Sequence, residues 1–312
     1  MNLVRTAVIG VGHLGQHHAR ILSSMPGASL VAVVDIDHER AQRVATSCGA
    51  AAHTDWRRVI GNVDAVSIAV PTTVHADVAL GCIEAGMSVL VEKPMASTTA
   101  EADAMVEAAA RRGVLLGVGH TERFNPATAA ALPLVSNPRF IEIHRLATFP
   151  ERSLDIDVVF DLMIHDLDLL LTAVGSPVAG LEVVGVNVLT PRADIANARI
   201  RFESGCIANV TASRISRDRV RKARFFSRDA YVSIDYAAQE VEVYRLIPQE
   251  GGRPAIQGGR LDVPNEEPLR RELADFADAV RSGRQPGVTG HDGRAALALA
   301  TQVADLIAKQ PQ

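Results

Sequence analysis

The sequence predicts two domains: an α/β domain built on a doubly wound parallel sheet, then an α+β domain with a large, mostly antiparallel sheet. Three observations lead there. The first 120 residues alternate short apolar runs with helical stretches, whereas beyond them strand-like runs follow one another. The chain has 312 residues, 47% hydrophobic and 22% charged, which suffices for about two separate cores. The change of pattern divides it into 1–120 and 121–312, with the C-terminal helix free to pack back on the first domain.

Continuous runs rich in Val, Ile and Leu stand at Ala7–Gly10, Leu30–Val34, Ala65–Val70, Val89–Val91 and Val114–Val118. Runs of this kind suit strands buried on both faces of a parallel sheet. Helical stretches lie between them at Leu14–Ser24, His38–Cys48, Val74–Ala85 and Thr99–Arg112, two of them followed by Gly86 and Gly113 as left-handed stops. The second part opens on a helix at Val158–Val174. Strands follow at Leu181–Leu189, Ala196–Phe202, Cys206–Ala212, Ala223–Phe226, Tyr231–Asp235 and Val241–Leu246. Gly251–Gly259 reads as a surface loop or hairpin tip, and helices at Pro268–Ser282 and Asp292–Ala308 close the chain.

A net charge of −4 argues against a nucleic-acid or membrane-surface binder, and no apolar run approaches the length of a membrane span. The N-terminus leads straight into a strand, without a secretory signal, and Cys48, Cys82 and Cys206 are scattered, so a cytoplasmic protein is expected.

The first strand ends in Gly10-Val11-Gly12-His13-Leu14-Gly15, and a helix follows. Gly10 permits the tight turn, Gly12 lets the backbone approach a pyrophosphate, and Gly15 lets helix and strand pack closely. The helix N-terminus then offers unpaired N–H groups and a positive dipole end to the phosphates. The next strand ends in Asp35, 20 residues after Gly15, the spacing at which a carboxylate takes the adenosine ribose hydroxyls. This is a dinucleotide-binding Rossmann pattern. Asp35, with Asp37 behind it, would repel a 2′-phosphate, so NAD is expected rather than NADP; Arg40 reads as part of a solvated helix face.

Lys93 falls at the carboxyl end of a strand, where a doubly wound sheet places its ligands. Oxidising a secondary alcohol requires a hydroxyl proton to leave along with the hydride, and a lysine beside a positively charged ring gives up its own proton more readily. Asp161 and His165 stand four apart on the expected helix and share a face, so the carboxylate can fix the imidazole tautomer. Asp166 and Asp168 read as solvated helix charges, Asp168 also as a supporting group. His13 and His17 have the spacing of two metal ligands, but no carboxylate or cysteine accompanies them and no metal is expected.

The glycine loop with His18, Pro71-Thr72-Thr73-Val74-His75, Glu92-Lys93-Pro94 and Asp161-x-x-x-His165-x-x-Asp168 resemble the glucose–fructose oxidoreductase/inositol dehydrogenase (Gfo/Idh/MocA) family along essentially the whole chain. The resemblance implies an NAD-dependent dehydrogenase in which Lys93, His165 and Asp161 are catalytic and the Lys93–Pro94 peptide is cis. It implies cofactor contacts from Gly10, Gly12, His13, Leu14, Gly15, Asp35, Ile36, Val70, Pro71, Thr72, His75, Glu92, Lys93 and Asn125. Substrate contacts are implied for Lys93, Arg123, Asn125, Arg152, Asp161, His165 and Arg214.

The stretches Val118–Pro126, His144–Phe149 and Asp155–Asp157 are similar to members that oxidise the 3-hydroxyl of UDP-N-acetylglucosamine-type sugar nucleotides. Arg214, Arg217, Arg219, Arg221, Lys222 and Arg224 then read as donors to a diphosphate, or as a sheet edge guarded by charge. A free sugar or polyol remains the alternative substrate, and a non-catalytic NAD-bound sensor the alternative function. An antiparallel sheet with one helix to cover it leaves a face or edge exposed, so a homodimer or homotetramer is expected, as the resemblance also implies.

Overall fold

The computed structural model describes residues 3–149, 157–249 and 253–310, and they form two compact units. The first comprises Met1–Thr121 together with Glu267–Leu297. It contains β1 (Val4–Ile9), α1 (Gly15–Ser24), β2 (Ala28–Val34), α2 (His38–Cys48), β3 (Ala51–His53), β4 (Ala65–Ile68), α3 (His75–Glu84), β5 (Ser88–Glu92), α4 (Thr99–Arg112) and β6 (Leu116–Gly119). The six strands are parallel in the order β3-β2-β1-β4-β5-β6, the doubly wound order of the Rossmann fold. The three-residue edge strand β3 carries too little pattern to stand out in the sequence.

Local signals set the ends of these elements. Asp37 caps α2 by accepting from Arg40 N, Thr98 and Glu101 form a reciprocal capping box on α4, and Gly49 and Gly113 end α2 and α4 in the left-handed conformation.

The second unit comprises Glu122–Glu266 and Ala298–Gln312. Its α5 (Pro126–Ala131) is followed by β7 (Phe140–Leu146), a π-helical turn at Val159–Met163, and α6 (Ile164–Val174). Strands β8 (Val178–Val186), β9 (Ile195–Phe202), β10 (Ile207–Ser213), β11 (Val220–Phe226), β12 (Ala230–Asp235), β13 (Glu240–Ile247) and β14 (Ala255–Arg260) complete it. The eight strands run β14-β13-β12-β11-β7-β10-β9-β8, antiparallel except for the β7–β10 pair. The stretch read as a surface loop therefore contains an edge strand, β14, whose Gly258 lies so close to Val243 O that a Cβ would overlap it.

The last helices are α7 (Pro268–Ser282) and α8 (Gly290–Ala308), and the division between the units falls within α8. Leu273, Phe276 and Ala277 of α7 join Val8, Ile21, Leu22, Leu30 and Val33 in the core of the first unit. Full burial of a Leu- or Phe-sized side chain contributes about 1.5–3 kcal/mol, enough to anchor α7 there. Among the described residues, no helix is long and apolar enough to cross a membrane.

Candidate active site

The glycine loop has the geometry its residues demand. Gly10 has φ 83°, and a Cβ there would stand 2.7 Å from Ala69 O. A Cβ on Gly15 would overlap Gly10 O, whereas one on Gly12 would meet no atom within 4 Å, so the backbone is open to a ligand there. Helix α1 starts without a side-chain cap or an acidic residue in its first turn. The positive end of its dipole is thereby left to an anion. His13 and Leu14 are exposed beside it, and the His13 and His17 rings meet edge to face.

Asp35 ties this loop to β2. Its carboxylate accepts from Val11 N at 2.9 Å and from Asp37 N at 3.0 Å. Arg40, its side chain 39% exposed, pairs with this cluster: Nη1 reaches both Asp35 oxygens at 3.1 and 3.3 Å, and Nη2 reaches Asp37 at 3.2 Å. The cause is the Asp37 cap, which folds the third residue of α2 back over its own N-terminus. Ile36, 92% exposed, stands beside this cluster.

Val70, Pro71 and Thr72 follow β4, and buried His75 straps their loop down. Its Nε2 lies 2.8 Å from Val70 O and its Nδ1 2.9 Å from Pro94 O, joining this loop to the turn after β5. In that turn the Lys93–Pro94 peptide is cis, as the resemblance implies.

Beneath half-buried Lys93 lies Glu92, the last residue of fully buried β5. Glu92 Oε2 accepts from Lys93 N at 3.1 Å, and Oε1 is 3.1 Å from His18 Nε2. The other ring nitrogen of His18 is 2.8 Å from Ser67 Oγ. Burial alone would raise the Glu92 carboxyl, but the His18 hydrogen bond, the charges of His18 and Lys93, and the Lys93 amide together hold it below its ordinary range.

In the second unit, Asp161 lies inside the π turn, where Ile164 N donates to Val159 O. Such turns often mark functional sites. His165 lies in the first turn of α6, and both side chains are partly exposed while Met163, Ile164 and Leu167 between and beyond them are buried. Asp157 starts the segment by accepting from Val159 N at 2.8 Å.

Two arginines grip the helix next to His165. Asp166 is bound through both oxygens by Arg145 Nε and Nη2, each at 2.8 Å, and Arg145 Nη1 also donates to Glu122 at 3.0 Å. Asp168 is bound by Arg123 at 2.7 and 3.0 Å. Neither aspartate is a solvated helix charge, since Asp166 is 0% and Asp168 1% exposed. Burial raises the Asp166 carboxyl against the opposing pull of Arg145.

Three expected ligand contacts have other partners. Arg123 pairs with Asp168. Asn125, 3% exposed, caps α5 through Ala127 N and donates to Tyr236 O at 3.0 Å and Glu122 at 3.3 Å, which engages both ends of its amide. Arg214, 1% exposed, donates from Nε to Asp194 at 2.9 Å and from Nη2 to Thr190 Oγ1 at 2.8 Å. Lys222 and Arg224 of the basic cluster pair with Asp235 and Glu142. Arg152, with Asp155 and Ile156, lies outside the described residues.

The sequence reading misses Ser67, Arg145, Glu122 and Asp194. An Arg145 alternating with Ile141 and Ile143 in β7 was the available signal, because a charged residue at an inward position demands a buried partner.

Residues 4–120 match a family model described as the GFO/IDH/MocA oxidoreductase family, NAD-binding Rossmann fold, and residues 141–232 match the GFO/IDH/MocA C-terminal domain. The chain is 39% identical over 302 residues to the UDP-N-acetylglucosamine 3-dehydrogenase of Acidithiobacillus ferrooxidans, covering 96% of each chain. A solved structure of that enzyme superposes with a TM-score of 0.91 at 38% identity, covering 98% of both. The scyllo-inositol 2-dehydrogenase (NAD(+)) of Bacillus subtilis is 29% identical over 316 residues, 93% of this chain and 90% of that one.

Proposed function

Since this chain belongs to the GFO/IDH/MocA family of NAD-binding oxidoreductases, we propose that it oxidises the 3-hydroxyl of a UDP-N-acetylglucosamine-type sugar nucleotide. The activity class is an NAD-dependent dehydrogenase acting on a CH–OH group. The observation that carries the substrate is 39% identity to a UDP-N-acetylglucosamine 3-dehydrogenase across 96% of both chains. A free sugar or polyol is the second reading, favoured by the 29% identity to scyllo-inositol 2-dehydrogenase. Following NADH formation over UDP-N-acetylglucosamine, other UDP-sugars, glucose and inositols decides between them. Turnover of inositol alone would overturn the first reading, and no turnover of any alcohol would leave the sensor.

Bound NAD supplies the hydride acceptor. Gly10, Gly12, Gly15 and the uncapped start of α1 hold its diphosphate, with His13 and Leu14 beside it. Asp35 takes the ribose hydroxyls, Ile36 flanks the adenine end, and Val70, Pro71 and Thr72 line the nicotinamide end. Lys93 would take the hydroxyl proton as the carbonyl forms, and His165 is the acid–base group of the second unit. Asp161 orients the imidazole.

NAD should bind at least about tenfold tighter than NADP, a difference of about 1.4 kcal/mol. Titration of the two dinucleotides checks this, and equal affinities would overturn it. Asp35→Ala should narrow the gap, because it removes the anion and frees Arg40 for a 2′-phosphate.

We place the protein in the cytoplasm as a homodimer or homotetramer. Supporting the assembly, Phe140, Phe226, Tyr231 and Tyr244 form a row across four neighbouring strands of the second unit, with centroids 5.2–6.3 Å apart and Tyr244 39% exposed. Light scattering at micromolar concentration should give at least a dimer, and a monomer would contradict it.

A further inference from the structure

Ser67, His18 and Glu92 come from three elements, β4, α1 and β5, and are 4%, 1% and 7% exposed. A carboxylate so deeply buried is costly unless donors and a countercharge surround it. Its neighbours supply both. An ionised Glu92 requires an N–H at His18 Nε2, 3.1 Å away, and the ring's Nδ1 meets the Ser67 hydroxyl at 2.8 Å. Lys93 N donates to the other oxygen. Both ring nitrogens of the imidazole are thereby used. The charge of Lys93 also acts on this carboxylate.

The strands around Glu92 are shaped to admit it. In β6 its partner is Gly119, where a Cβ would press to 3.1 Å from the carboxyl group. The titratable groups facing Glu92 are His18 from α1 and Lys93 after β5, while β4 and β6 present the neutral Ser67 and Gly119.

We propose that Ser67, His18 and Glu92 form a buried relay that fixes the backbone of Lys93 and holds an anion against it, setting the pH range over which Lys93 exchanges its proton. Glu92 and His18 are thus positioning residues for Lys93. The consequence for catalysis rests on Lys93 being the proton-transfer group; the electrostatic coupling itself does not.

The composition allows a direct test. Lysines occur only at 93, 222 and 309, so acetic anhydride labelling of the full-length protein, read by mass spectrometry against pH, reports Lys93 with the other two as internal references. Lys309 is exposed and Lys222 pairs with Asp235 at 3.1 Å, both in the second unit. Glu92→Gln keeps the shape and removes the charge, so the labelling midpoint of Lys93 should fall by about half a pH unit or more. His18→Leu removes the donor that keeps the buried carboxylate ionised, so the midpoint should fall here too. Glu92→Asp, which keeps the charge, should restore most of the wild-type value. Lys222 and Lys309 should stay fixed throughout.

A folded Glu92→Gln, or a folded His18→Leu where the first does not fold, with an unmoved Lys93 midpoint would overturn the relay. If the midpoints move as stated but no sugar nucleotide is oxidised, the proposed function fails and the relay stands. Where turnover is found, the pH profile of kcat should shift in the same directions.

Discussion

His165→Ala and Lys93→Ala should each lower turnover of the sugar substrate by about 10²-fold or more, the usual scale for a positioned acid–base group. Alcohol oxidation needs an acceptor for the hydroxyl proton and a donor to the forming carbonyl oxygen, and truncation to alanine removes one of them without replacement. The two variants should differ in cofactor binding. His165 lies on α6 of the second unit, which contributes no residue to the glycine loop, so His165→Ala should bind NAD as the wild type does. Lys93 directly follows β5 in the unit that carries the loop, so Lys93→Ala should weaken NAD somewhat as well. Asp161→Asn should give an intermediate loss with a shifted pH–rate profile, because it perturbs a partner's proton and leaves the base in place. Steady-state kinetics on the oxidised sugar, with NAD titrations alongside, reads all three. Wild-type turnover in His165→Ala would place the active site elsewhere.

The largest effect on stability is expected from Arg214→Ala, which should cost about 3–5 kcal/mol, the penalty for leaving a buried carboxylate without its ion-pair partner. In a unit of this size the melting temperature should fall by roughly 6–20 °C. The stranded group is Asp194, 0% exposed, which also accepts from Val188 N, Leu189 N, Thr190 N and the Thr190 hydroxyl at 2.6–2.9 Å. Burial works against ionisation of this carboxyl, yet those donors hold it well below the usual carboxylate range. A carboxyl depressed in the folded state stabilises the fold at pH values above its unfolded value, about 3.9, and that contribution disappears as pH falls toward the folded value. Acid should therefore destabilise the wild type from about pH 5 downward, and Asp194→Asn should flatten that limb. Calorimetry of the two variants checks both statements. A raised KM in Arg214→Ala with an unchanged melting temperature would instead restore Arg214 to the diphosphate.

The first unit was readable because its signals are local. The glycine loop, Asp35 and the apolar runs each combine a residue type with a position in one strand–helix unit, and backbone sterics alone enforce them: Gly10 and Gly15 have no room for a Cβ. Glu92-Lys93-Pro94 and Asp161–His165 were legible as motifs for the same reason, since neighbours along a strand end or a helix remain neighbours after folding.

What the sequence could not decide was which charges are spent on one another. Arg123, Asn125 and Arg214 are the residue types that bind sugars and phosphates, and nothing in their spacing shows that Asp168, Tyr236 and Asp194 reach them first from 45, 111 and 20 residues away. Strand β7 escaped notice because Arg145 breaks its inward apolar row, and that break makes sense only beside Asp166 and Glu122.

By itself the sequence determined the fold class and the dinucleotide loop, both of which follow from local backbone geometry and side-chain chemistry. The tertiary structure alone decided which polar groups pair with one another. Burial makes an unpaired charge so costly that each one takes a partner from whichever strand or helix packs against it, and only the folded chain brings those partners together.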